Sequence, residues 1–134
     1  MALAASITGD KAGFCTQPTA QTTNVFGWPG PTPTVSAPSS TSNQAIVWAI
    51  DARKATIGGN EALWAFDATT LTCLYTTDQS VAKTACTRKG PTTDKPAGLA
   101  IKLTVPSVAN GKVYVGTTGG TGTTQGYLNI YGIN

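Results

Sequence analysis

The stretch Ala45–Asp78, AIVWAIDARKATIGGNEALWAFDATTLTCLYTTD, decides the fold. In Ala45–Ala52, Ile46, Trp48 and Ile50 alternate with Val47, Ala49 and Asp51, and both alternating sets are largely apolar. A half-exposed strand would set apolar against polar, so this pattern marks a strand covered on two faces. Ala62–Ala68 repeats it with Leu63, Trp64 and Phe66. Between them, Arg53–Asn60 carries Gly58-Gly59-Asn60 and is longer than a two-residue hairpin turn. Thr69–Leu71 makes the next turn, and Thr72–Thr77 is a partly polar strand suited to an outer edge.

Upstream, Pro33–Ala37 is extended in character and supplies a first, innermost strand. Before it, Phe26–Pro33 (FGWPGPTP) is the densest Gly/Pro knot of the chain, with Trp28 inside it. Downstream, Asp78–Ala97 is a polar loop broken by Gly90-Pro91 and Lys95-Pro96. Loops of about 20 residues are unusual in a compact domain, which points to a functional or disulfide-pinned excursion. The chain resumes at Leu99–Val105, and Pro106–Ala109 leads through Asn110-Gly111 into Lys112–Thr117. Asn-Gly between two extended runs is a strong hairpin signal. Thr117–Gly126 is a connection, and Tyr127–Ile133 is a last strand. Val105–Asn134 thus repeats the order of the first half but stops before a fourth strand, leaving an open edge.

Composition agrees with an all-β chain. Its 134 residues suffice for one modest domain, with 40% hydrophobic and only 11% charged residues. Threonine is the commonest residue, Gly (15) and Pro (8) are frequent, and histidine is absent. Val, Ile, Thr, Trp and Tyr fill the periodic segments, and no window shows helical periodicity. The net charge of +3 is small. Lys83, Arg88, Lys89 and Lys95 gather in one polar loop without interleaved aromatics, so no nucleic-acid partner is expected. No apolar run approaches the ~20 residues of a membrane helix. Met1–Ser6 is too short for the apolar run of a signal peptide; export would need a leader beyond this chain, or a chain that is a piece of something longer. Cys15, Cys73 and Cys86 lack metal-site spacing. One disulfide and an exported, extracellular or cell-surface protein are expected. The expected pair is Cys73 with Cys86, closing a loop of about 14 residues, with Cys15–Cys86 as the competing pairing.

These residues resemble the pyrroloquinoline-quinone-like (quinoprotein-type) β-propeller repeat. Val113–Gly116 matches its VYVG-type strand, Leu63–Ala68 its LYALDA-type strand, and Tyr75 stands where its docking tryptophan falls. Thr69–Leu71 departs from the usual Thr-Gly turn. The likeness covers roughly residues 24–134 and is nearest to the C-terminal blades of secreted microbial propellers. It implies an all-β fold of about two four-stranded antiparallel blades, the second lacking its outer strand. Residues 1–31 form an irregular N-terminal segment, 32–80 the first blade, 81–98 the long polar loop and 99–134 the incomplete blade. A blade cannot cover both of its own faces, so the partner expected is another copy of the chain or further blades. Leu3–Thr8 is a candidate for a strand donated between copies.

The chemistry on offer is sparse. Asp67 follows an apolar strand and precedes a turn, where a carboxylate caps the N–H groups of Thr69 and Thr70; Asp51 occupies the equivalent place. Glu61 and Asp78 sit at strand ends and read as solvent-facing. Without histidine, a Ser-His-Asp or Cys-His nucleophile is impossible within the chain. Gly116–Gly122 lacks the following helix that a phosphate loop needs. Trp48, Trp64 and Phe66 read as core, and Trp28 as a surface contact, with a glycan as its candidate partner. No catalytic, metal or cofactor-binding residue is assigned and no cofactor is expected. The leading expectation is a non-catalytic structural or binding domain. The alternatives are an inactive C-terminal fragment of a quinoprotein dehydrogenase and a carbohydrate-binding or adhesive module.

Overall fold

A computed structural model describes residues 5–8, 11–14, 17–39, 44–80, 86–91, 94–96, 98–119 and 125–132. Among them there is no α-helix, and the fold is all-β. The strands are β1 (Ala5–Thr8), β2 (Lys11–Phe14), β3 (Thr34–Ser36), β4 (Ile46–Asp51), β5 (Ala62–Asp67), β6 (Cys73–Thr76), β7 (Arg88–Lys89), β8 (Ser107–Ala109), β9 (Lys112–Thr117) and β10 (Tyr127–Gly132). β3-β4-β5-β6 is a four-stranded antiparallel meander, extended at its outer edge by β7, which runs parallel to β6. β8-β9-β10 is a three-stranded antiparallel sheet. A 3-10 turn, Arg53–Ile57, fills the long connection after β4, and Gly58 ends it in the left-handed region at φ 66°.

Alternation sets the two faces of the larger sheet. On one face Trp64 and Phe66 stack with ring centroids 5.9 Å apart, and Phe26 packs edge-on against each. Ala49, Leu71 and Cys86 complete this cluster. On the other face Ile50 and Leu63 pack against Val113 and Val115 of β9, with Tyr131 of β10 beside them. The smaller sheet therefore covers the second face of the larger one. Thr34 Oγ1 donates to the Pro106 carbonyl at 2.6 Å, which joins β3 to the start of β8.

Pairing shifts between Ala65 and Phe66, so that Ala65 faces Tyr75 but Phe66 faces Cys73. The extra residue turns Cys73 towards the Trp64 cluster and Tyr75 towards the smaller sheet. At the β8–β9 turn, Asn110 and Gly111 both take positive φ (50° and 69°), as the Asn-Gly signal requires.

Several expectations are corrected. Ala5–Thr8 pairs with Lys11–Phe14 of its own chain, so residues 1–31 contain a hairpin and its first strand already has a partner. Where the chain resumes, residues 101–105 form a turn and coil, with Leu103 at φ 67°. Leu99 contributes only an isolated bridge to Thr118, and the inner position of the smaller sheet falls to β8. The polar loop 81–98 contains β7, a strand too short and polar to read from alternation. Trp48 is half-buried, and its indole N–H donates to Ser36 Oγ at 2.8 Å. Cys15 lies outside the described residues.

Candidate functional site

A cleft of about 230 Å³ opens where β4 and β6 end and β5 begins, lined by Asp51, Arg53, Lys54, Glu61, Asp78 and Lys95 among others. β4 delivers Asp51 at its last residue, and the backbone N–H of Arg53 caps back to its Oδ1 at 3.1 Å. The Arg53 guanidinium closes the loop with a 2.7 Å ion pair to Asp51 Oδ2 and reaches Asp78 at 4.0 Å. Arg53 is also where Gly27 is needed, since a Cβ on Gly27 would meet Arg53 Cβ at 2.6 Å. Burial works against the charge of Asp78, but the Ser80 hydroxyl and N–H, with Lys54 and Arg53 nearby, hold its carboxyl below the usual range.

Glu61 is not solvent-facing, as its place at a strand end suggests. It is only 3% exposed. Its Oε2 accepts the Ile101 N–H at a long 3.4 Å, and its Oε1 has no hydrogen-bond partner among the described residues. Burial pushes the carboxyl up to about 7, with the Ile101 N–H opposing. Across the seam the Tyr131 hydroxyl is likewise buried and unpartnered. Its proton is held more tightly than usual, by burial first and then by Glu61 and Asp94. The Tyr75 hydroxyl donates to Asp94 Oδ2 at 2.7 Å, directly over Gly90, whose missing side chain makes room for it.

Asp67 caps its turn as expected, accepting the N–H groups of Thr69 and Thr70 at 2.9 and 2.8 Å. The Thr70 and Thr69 N–H groups and the Thr70 hydroxyl hold its carboxyl below the usual range. Cys73 and Cys86 form the disulfide. Trp64 and Phe66 are core at 2% exposure each, whereas Trp28 is 77% exposed, with Lys102 Nζ 4.4 Å from its ring centroid. Trp28 lies outside the carboxylate cleft.

Comparison with protein-family models, curated proteins and solved structures gave no match to this chain. What the cleft can do therefore rests on its residues. Among the described residues no cluster of three or more His, Cys, Asp or Glu side chains could hold a metal ion. No described helix is long and apolar enough to cross a membrane. The cleft pairs opposite charges at its mouth and keeps one unpaired carboxyl at its base. That carboxyl could have been found in the sequence by one signal: Glu61 directly precedes a strand with two apolar faces, where little water is left for it.

Proposed function

We propose that this chain is a non-catalytic repeat domain of an exported protein, built from two propeller-type blades and completed by self-association. The observation that carries this reading is the contrast between β5 and β10, each third in its sheet. Leu63, Trp64, Ala65 and Phe66 of β5 are all 2% exposed or less. On β10, Tyr127, Leu128 and Ile130 stand at 50%, 64% and 55%. β5 has β6 on its outer side and cover on both faces; among the described residues β10 has neither an outer neighbour nor cover on its Leu128/Ile130 face. An apolar face beside an open strand edge suits a partner that supplies both packing and backbone hydrogen bonds. The disulfide is compatible with an extracellular or cell-surface location. The resemblance to quinoprotein-type repeats supports the blade reading but has no separate support for quinone chemistry.

Replacing Ile130 by Lys tests the proposal, because an edge lysine opposes strand addition without touching the core. The wild-type chain is expected to sediment as a dimer or larger species at micromolar concentration. Ile130→Lys is expected to be monomeric with an unchanged unfolding midpoint. Identical sedimentation of the two proteins contradicts the reading. A glycan-binding role is favoured by one observation only, the exposed Trp28 ring with a lysine beside it. Loss of glycan-array binding in Trp28→Ala would support that second role.

A further inference from the structure

We propose that Glu61 is a protonation-controlled latch: neutral, it holds segment Leu99–Ile101 against the larger sheet, and ionised, it releases that segment. The geometry is a seam. On one side, Gly59 and Glu61 lie at the mouth of β5. On the other, residues 98–101 lead into the smaller sheet. The Ala100 N–H donates to the Gly59 carbonyl at 3.0 Å, and Ile101 N–H to Glu61 Oε2 at 3.4 Å. Leu99 and Thr118 exchange two backbone bonds of 2.9 and 3.0 Å, which tie the same segment to the end of β9. Gly98 lets the chain in so closely that a Cβ there would collide with the Thr118 carbonyl.

Within this seam one carboxyl oxygen of Glu61 is buried without a partner. A buried neutral acid lacking one bond is tolerable, whereas a buried carboxylate needs donors on both oxygens or a cation. The charged groups around it do not meet that need. On the larger sheet and its connections, Arg53 is committed to Asp51, and Asp78 adds negative charge. Lys54 and Lys95 line the same cleft, and Lys54 acts on Asp78. From the smaller sheet Tyr131 presents a buried hydroxyl, and from the returning loop Asp94 accepts the Tyr75 hydroxyl and acts on Tyr131. Ionised Glu61 therefore gains by swinging into the cleft and water, which costs the bond to Ile101.

Burial raises the closed-state value to about 7 from an ordinary 4.5. An acid raised in the closed state favours closure fully below its ordinary value, and that advantage disappears as pH rises to the raised value. The latch should loosen between about pH 4.5 and pH 7 and change little above. Amide exchange at Ala100 and Ile101, whose N–H groups bond across the seam, expressed as protection factors, reads this directly. In the wild-type chain these factors are expected to fall at least tenfold from pH 5 to pH 7.5, while those of Leu63 and Val115 do not. Glu61→Gln should abolish the fall. The same decline in Glu61→Gln, or pH-independent protection in the wild type, overturns the proposal. Should Glu61→Gln not fold, the wild-type Glu61 carboxyl 13C titration decides: a midpoint near 7 supports the latch, and one near 4.5 overturns it.

Discussion

Trp64 lies face to face with Phe66, and Phe26 closes edge-on against both, so three rings from two distant segments share one cluster. Removing a large buried ring typically costs about 3–5 kcal/mol, a sizeable part of the ~5–15 kcal/mol that holds a domain folded. Trp64→Ala is expected to be unfolded or aggregated, with loss of near-ultraviolet circular dichroism. A soluble, cooperatively folding Trp64→Ala protein would contradict its core role. This residue was legible in the sequence because both alternating sets around it are apolar. Glu61 was not: its fate depends on residues 98–101 and Tyr131, which lie far along the chain and fold over it. It also sets an expected pH dependence. Because its carboxyl is raised to about 7, stability should decline from pH 4.5 to pH 7. We expect about 1–2 kcal/mol in urea titrations, less than the full shift implies because water relaxes a buried charge. Glu61→Gln should remove this decline. Asp67 and Asp78, held low, add pH dependence only in acid: the stability they give is present at neutral pH and lost as pH falls through the ordinary carboxylate range towards their lowered values.

Among the elements, the returning loop shows how a segment without periodicity becomes ordered. The Cys73–Cys86 disulfide fixes one point, the Thr87 N–H donates to the Cys73 carbonyl at 3.0 Å, and the Gly90 N–H to the Thr76 carbonyl at 2.9 Å. Those bonds make β7 a parallel strand on β6 and cover the outer edge of the larger sheet. Cysteine arithmetic made the pairing readable, but a two-residue parallel strand carries no alternation to read. Replacing both cysteines by serine is expected to cost roughly 3 kcal/mol in the chain-entropy description. It should also strip exchange protection from Thr87 and Gly90. Unchanged protection there would mean that the hydrogen bonds alone hold the loop. Two glycines separate conformation from space. Gly111 takes φ 69° with nothing near a Cβ, whereas Gly98 takes φ 91° against the Thr118 carbonyl and Thr117 Oγ1. Gly111→Ala should cost about 1 kcal/mol and Gly98→Ala distinctly more, compared by thermal unfolding of the two variants. Equal losses would contradict the close approach at Gly98.

For the whole molecule, the asymmetry between the two sheets matters most. The larger sheet is covered on one face by Phe26 and its neighbours, on the other by the smaller sheet, and at its outer edge by β7. The smaller sheet buries Val113 and Val115 against its partner and leaves Leu128 and Ile130 open. The sequence showed this inequality as a missing fourth strand, because strand count is a local property. It could not show that Ala5–Thr8 would pair within its own chain, since short polar-apolar segments specify register only weakly. On the proposed reading, the β10 edge is completed by another copy. Amide exchange across Tyr127–Gly132, followed from high micromolar to nanomolar protein alongside the sedimented mass, tests it most directly. Protection on β10 should be high in the assembled state and fall together with mass on dilution. Protection independent of concentration in a stable monomer would contradict the claim.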